Sequence, residues 1–447
     1  MADRETWATR LGFILASVGS AVGLGNIWRF PFQTATNGGA AFLVVYLVAV
    51  ALIGVPAILA EFVVGRRANL NAIDAFDRLG HPRWKAVGAL GVLTGFWVLS
   101  YYSVIGGWVI RYLVGSVTGG YLGNPADYFG AVSAGPEALV LHAVFMLLTV
   151  GIVAFGVEGG IELATKFMVP GVVVLMLAIA AYAATLPGGG AGYGFFLTPE
   201  VDAILSNLTT VVPAAVGQAL FSLSLGFSVM ITYASYIGED RNLGVDGGTI
   251  AVFNTFIGVL AGFVVFPLLF AQGVSPDTAG PGAVFISVPT ALAELPAGRA
   301  VGFVFFAVVL IAALSSAISL LEVVTSYVID HYRFGRKGTA VGLGAIVFAL
   351  GVPSAWDTAW LSWFDGVAVN LFLPLAVLLV VTFVGWILAD DAVDELTQGT
   401  GLRETSTLPS AWLWLVRTVV LLAVTGTLVL GVRELLTPSG AYVVPPF

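Results

Sequence analysis

Long, nearly charge-free apolar runs constrain this chain more than any other feature. Eleven recur, near residues 11–35, 40–65, 87–114, 139–156, 162–186, 205–237, 248–272, 299–331, 338–353, 361–388 and 410–432. Most reach the ~17–25 residues that a helix needs to cross a ~30 Å hydrocarbon core. Several exceed it, which predicts tilt or interruption. Strands of a membrane barrel would be shorter and would alternate apolar with polar, and no such alternation is present. Only 10% of the 447 residues are charged and mean hydropathy is +0.98, whereas a soluble domain carries roughly 25% charged residues. The expected fold class is therefore an all-α polytopic membrane protein with eleven transmembrane helices, forming one domain over 1–447, with the lipid bilayer as its main solvent.

The same composition excludes other chemistries. Cysteine is absent, so disulfides and thiolate metal sites are ruled out. Three scattered histidines propose no metal cluster, and no nucleotide loop or nucleophile–base pair suggests an enzyme. Net charge −8 and a pI near 4.9 argue against nucleic acid and fit a high-salt habitat. The charged opening MADRETWATRL is not expected to be a cleavable signal. Lys and Arg set the orientation. Arg66, Arg67, Arg78, Arg83 and Lys85 lie between spans 2 and 3, and Arg333, Arg336 and Lys337 between spans 8 and 9. The loops after spans 1, 5 and 9 hold none. Positive charge collects inside, so the N-terminus is expected to be cytoplasmic and the C-terminus extracellular, in the cell (plasma) membrane.

Two spans carry weak points. Span 1 holds Gly19, Gly23 and Gly25 within GSAVGLGN, and span 6 holds Ser222, Ser224 and Gly226 within FSLSLGF. Small residues in a single span mostly serve close helix packing. Here the interruptions fall at corresponding places in two five-helix halves, about 11–186 and 205–388, with an extra helix at about 410–432. That pattern marks an inverted-repeat transporter with helices 1 and 6 unwound at mid-membrane. Freed carbonyls suit a hard cation, and exposed helix N-termini suit a carboxylate. A zwitterionic amino acid with sodium meets both demands.

The stretch WATRLGFILASVGSAVGLGNIWRFPFQTATNGGAAF, Trp7 to Phe42, resembles the opening of the neurotransmitter:sodium symporter family, in its prokaryotic amino-acid branch typified by the bacterial leucine transporter. The likeness continues in GQALFSLSLGFSVMITYASY, AALSSAISLLEVV and FDGVAVNLFLPL. It implies sodium-coupled import of an amino acid by alternating access. It places the substrate among Ala21, Gly23, Leu24, Gly25, Tyr102, Phe221, Ser222 and Ser224, with Val98, Phe227, Ser316 and Leu320 shaping the side-chain pocket. It implies a first sodium site of Ala21, Asn26, Ser222 and Asn254, completed by the substrate carboxylate. A second would comprise Gly19, Val22, Ala312, Ser315 and Ser316. Gly23 stands where monoamine carriers of the family have aspartate, so the substrate is expected to bring its own carboxylate. The apolar pocket suggests a small amino acid with a hydrophobic side chain.

The resemblance also pairs Arg29 with Asp365 as an outer gate, and Arg4 with Asp330 as an inner one beside Trp7, Ser235 and Tyr236. Glu61 and Glu322 are expected to bond neighbouring backbone. Gly160 and Pro170 imply either a loosening cytoplasmic segment or an ordinary proline kink. One departure stands out. Prokaryotic members usually carry an acid one turn after the span-7 asparagine, where this chain has Gly258. Tyr46, Gln218, Ser222 and Asn254 resemble chloride ligands, so either chloride binds there or the negative charge is missing.

Overall fold

A computed structural model of the chain describes residues 7–200, 202, 207–275, 283–332, 334–400 and 407–437. No strand occurs among the described residues. The principal helices are α1 (Arg10–Ala21), α2 (Gly25–Thr36), α3 (Ala40–Ala68), α4 (Pro82–Thr118), α5 (Pro136–Val153), α6 (Val157–Ala184), α7 (Leu208–Ser222), α8 (Val229–Ala234), α9 (Leu243–Ala271), α10 (Gly298–Tyr332), α11 (Arg336–Trp356), α12 (Thr358–Leu388) and α13 (Thr407–Leu436). Among the described residues nine of these are long and apolar enough to cross a membrane singly, and α1 with α2, bent by 48° at their junction, makes up to ten. The remaining apolar run, 205–237, is divided. Its first part, α7, is a 15-residue helix, and its second, α8, has six residues.

The surface chemistry is that of a lipid-facing protein. Phe167, Leu147 and Leu422 point outward, each more than 70% exposed. In water such apolar faces would need a partner. In the most apolar window of α10, 72% is buried, against 22% for α13, so α10 lies central and α13 peripheral. The two longest helices, α4 and α10, pack against each other and against α5 and α11. Against this frame lie α1, which also touches α6 and α9, and α8, which packs on α3.

The segment Leu223–Ser228 joins α7 to α8 as turns and bends outside regular helix. Three of its residues adopt left-handed backbone: Ser224 at φ 54°, Gly226 at 79° and Ser228 at 59°. Glycine takes this conformation freely, while each serine costs of order 1–2 kcal/mol. The surroundings must therefore hold the break. Glu61 of α3, 2% exposed, accepts the Gly226 amide at 2.8 Å, which matches the backbone role expected for it. Glu322 differs: its carboxylate takes Arg336 through both oxygens, at 2.7 and 3.0 Å, and the Tyr236 hydroxyl at 3.1 Å. Around Gly160 the chain is helical, wound as a π-helix over Val157–Glu162, with Pro170 inside the α-helix that follows.

Glu61→Ala orphans the buried Gly226 amide and should cost about 1–3 kcal/mol. It is expected to lower the thermal unfolding midpoint in detergent, and Glu61→Gln, whose amide oxygen still accepts, to restore most of it. An unchanged midpoint in the alanine variant would remove Glu61 from the support of the break.

Candidate functional site

At the α1–α2 junction Val22 turns extended, at φ −83° and ψ 93°, and the helix restarts at Gly25. The freed backbone is met by side chains from three other helices. Tyr102 of α4 accepts the Leu24 amide at 3.1 Å. Ser316 of α10 donates to the Ser20 carbonyl at 2.8 Å, and Ser224, from the second break, donates to the same oxygen at 3.0 Å. Gln218 of α7 donates to the Gly25 carbonyl at 2.8 Å. The two breaks therefore face each other directly across the bundle.

Between them lies a small pocket. Ala21, Gly23 and Gly25 form one wall, and Phe221, Ser224 and Phe227 the facing one. Val98, Tyr102, Ser316 and Leu320 close it from α4 and α10. Of the expected substrate residues, Leu24 contributes its amide to Tyr102, and Ser222 lies beside the pocket toward α9. A Cβ on Gly23 would collide with Ser316 Oγ and lie 2.7 Å from the Tyr102 hydroxyl. Only a glycine admits the close approach of those two hydroxyls. Ser20 also lines the pocket and was missed in the sequence. Its carbonyl carries the role, and a carbonyl has no signature in residue type. The pocket leaves about 20 Å³, room for a single water.

Toward α9, oxygens converge. Asn254 Oδ1 accepts from Asn26 Nδ2 at 2.8 Å, yet lies 3.1 Å from the Ala21 carbonyl oxygen and 2.9 Å from that of Ser222. Three acceptors this close repel unless a proton or a cation sits among them. Turning the amide over puts a donor there; a cation would do the same with the oxygen facing in. The expected second group is partly assembled. Ser315 Oγ lies 3.3 Å from the Val22 carbonyl and 2.9 Å from that of Ala312, and Gly19 lies against Ser315. Ser316 turns instead toward Ser20 and Tyr102.

Tyr46 and Ser222 share a hydrogen bond of 3.2 Å, and Asn254 Nδ2 reaches the same Ser222 hydroxyl at 3.3 Å. Gln218 points its amide elsewhere, to Gly25. Gly258 faces Asn26, and a Cβ there would have ordinary room, 3.6 Å from Asn26 Nδ2. Among the described residues no group of three or more His, Cys, Asp or Glu side chains is placed to hold a metal ion.

The pocket lies between two sets of charges. On one side Arg29 Nη1 is 3.6 Å from Asp365 Oδ2, and the Arg29 guanidinium rests 5.1 Å over the Phe221 ring. On the other, Trp7, Ser235 and Tyr236 line a larger cavity of about 350 Å³ with Arg10, Asn69 and Arg241. Trp7 Nε1 donates to the Tyr233 carbonyl at 3.0 Å. Asp330 accepts from Asn71 at 3.4 Å, and Asn71 also holds Asp74 at 3.0 Å. Burial would raise the Asp74 carboxyl, but hydrogen bonds from Asn71, Lys85 and His331 outweigh it and hold the group below its usual range. Asp74 therefore keeps its charge to a lower pH than an ordinary aspartate. Arg4 lies outside the described residues.

A model of the sodium:neurotransmitter symporter family matches residues 4–122 and 133–445. An uncharacterized sodium-dependent transporter of Haemophilus influenzae is 34% identical, over 94% of this chain and 96% of the relative. Another, from Methanocaldococcus jannaschii, is 36% identical over 88% and 84%. The crystal structure of MhsT in complex with L-phenylalanine is 40% identical, covers 96% of this chain and 99% of that one, and superposes with a TM-score of 0.87.

Proposed function

The chain belongs to the sodium:neurotransmitter symporter family, and from that premise we propose that it imports a small hydrophobic amino acid with sodium by alternating access. The observation that carries this reading is the meeting of the two breaks, where the Ala21 and Ser222 carbonyls lie 3.1 and 2.9 Å from the Asn254 side-chain amide beside the pocket. Oxygen acceptors without a nearby acid fit a hard monovalent cation once a substrate carboxylate joins them. Sodium would sit there, held also by Asn26, and a second sodium by Gly19, Val22, Ala312, Ser315 and Ser316. The substrate carboxylate would take the Tyr102 hydroxyl and the backbone amides of the span-1 break, and its amino group the Ser224 side and the freed carbonyls. Val98, Phe221, Phe227 and Leu320 give the side chain an apolar environment, in line with the L-phenylalanine bound by MhsT.

Eleven crossings follow if α1 with α2, and α7 with α8, each count as one broken span. The two breaks then occupy matching positions of two inverted five-helix repeats, at mid-membrane. Arg29 and Asp365 would close the outer side, while Trp7, Ser235, Tyr236 and Asp330, joined by Arg4, would close the inner side. The N-terminus is placed in the cytoplasm and the C-terminus outside, by the distribution of Lys and Arg. Inward movement of one charge gains ~2.3 kcal/mol per 100 mV of membrane potential.

In proteoliposomes, uptake of labelled L-phenylalanine is expected to require external sodium and to collapse when choline replaces it. Flux that persists in choline and follows a pH gradient instead would make the protein proton-coupled, and binding without flux would make it a sensor. Ser315→Ala removes one oxygen from the second proposed sodium site. It should raise the sodium concentration for half-maximal uptake about tenfold, the scale of one lost hydrogen bond to a charged group; an unchanged sodium dependence would remove that site.

Tyr46, Ser222 and Asn254 around a shared hydroxyl, with Gly258 leaving room beside Asn26, favour chloride as the counter-charge to the first sodium. Replacing external chloride with gluconate is then expected to reduce uptake at constant sodium. Equal uptake in gluconate rules chloride out.

A further inference from the structure

The outer pair is lopsided. Asp365 is held more closely by Tyr101 than by Arg29: the Tyr101 hydroxyl donates to Oδ1 at 2.9 Å, whereas Arg29 Nη1 stands 3.6 Å from Oδ2. The second distance is too long for a hydrogen bond. Arg29 Nε is buried and has no hydrogen-bond partner, and the guanidinium lies over Phe221. Tyr101 is itself 2% exposed. One turn earlier on α4, Trp97 donates to the Phe364 carbonyl at 2.9 Å and stacks on the Phe364 ring at 4.2 Å. Helix α4 thus grips the Phe364–Asp365 corner of α12 at two points. The residue after Tyr101 is Tyr102, whose hydroxyl faces the pocket.

We propose that Tyr101 is a positioning residue of the outer gate, whose hydroxyl holds Asp365 short of Arg29 so that the gate closes without locking. The inference rests on the reading of Arg29 and Asp365 as that gate. Asp365 and Arg29 are both mostly buried, with side chains 17% and 15% exposed. A carboxylate so placed seeks every donor within reach. With Tyr101 present, one oxygen is satisfied by α4 and the attraction to Arg29 stays at arm's length. Without that hydroxyl, the Arg29 guanidinium, 3.6 Å away and with Nε unpartnered, has donors to offer, and the pair draws together. Tyr101→Phe, which keeps the ring and its packing, therefore tightens the gate.

The chain has no cysteine, so Val98→Cys places a single thiol in the pocket beneath the gate. In sodium-free membranes, adding Tyr101→Phe should slow its alkylation by a small external reagent about fivefold, the scale of one extra partly exposed ion-pair contact. It should slow dissociation of bound L-phenylalanine to a similar degree. In an Asp365→Asn background the same substitution should change neither rate. Alkylation that is unchanged or faster with Asp365 in place overturns the proposal, as does slowing that persists in Asp365→Asn. Protection of the thiol by sodium with L-phenylalanine reads the transport assignment separately. Its absence would sink that assignment and leave the Tyr101 comparison to stand or fall by itself.

Discussion

The Ser20 carbonyl accepts hydrogen bonds from the hydroxyls of both Ser316 and Ser224, and the arrangement of the bundle's centre follows from that shared acceptor. Hydrocarbon offers no hydrogen bonds, so a chain that leaves its helical ladder inside a bilayer must find partners in protein or in a polar cavity. Two such departures close together solve the problem mutually. The span-1 break lends acceptors, the span-6 break lends a hydroxyl, and α10 ties both to the frame. Tyr102, Gln218 and Glu61 supply the remainder from α4, α7 and α3. The Ala21 and Ser222 carbonyls, beside the pocket, are left to the Asn254 side-chain amide. Carbonyl oxygens freed in so poorly polar a setting are a place where a cation is worth more than it would be in water.

The charged groups on the two sides of the pocket differ in kind. On the side of the larger cavity they form a mesh. Arg66, fully buried, joins Glu395 and the Arg241 carbonyl, and Arg241 in turn joins Arg10 on the buried Asp246. Removing one partner of a buried pair typically costs 3–5 kcal/mol, because the other charge is left in a poor solvent. Such a mesh fixes the ends of α1, α3 and α9 relative to the Asp390–Thr397 helix. On the opposite side the pair beside the pocket, Arg29 and Asp365, is elongated. If that pair is the proposed outer gate, its looseness fits a surface that parts and rejoins, which bonds as costly to break as those of Arg66 would not.

Apolar run length made the helical membrane class readable from sequence, since no polar surface was available to hide it. The glycine and serine clusters located both breaks, and the family resemblance pointed to Tyr102, Asn254 and Ser315 near them. Less visible was everything done by backbone. Ser20 escaped notice because its carbonyl is the functional atom, and every residue has one. The contrast between Ser315 and Ser316 was also hidden: both lie on one helical face, yet one turns to Val22 and Ala312 and the other to Ser20. Rotamers decide that, and sequence spacing does not encode them. Glu322 was misassigned to backbone because Arg336, its partner, lies on the next helix, fourteen residues on. The division of 205–237 into two short helices was legible, whereas the left-handed serines that make the turn were not, because serine rarely takes that conformation without outside support.

The split between those adjacent serines bears on coupling. Ser315 contacts the oxygens of the proposed second sodium site, and Ser316 contacts the pocket through Ser20 and Tyr102. They share one rigid turn of α10, and both reach the same four-residue stretch of span 1, from Gly19 to Val22. A cation that draws the Val22 carbonyl toward Ser315 must pull on the segment that holds Ser20 and Gly23 at the pocket wall. A ligand that orders the pocket wall must likewise pre-position Val22. Any affinity that one event lends the other is returned in equal measure, since linkage between binding equilibria is reciprocal. Ion and substrate then need no contact with each other at this site, because the broken span is short enough to be felt as one piece from both ends.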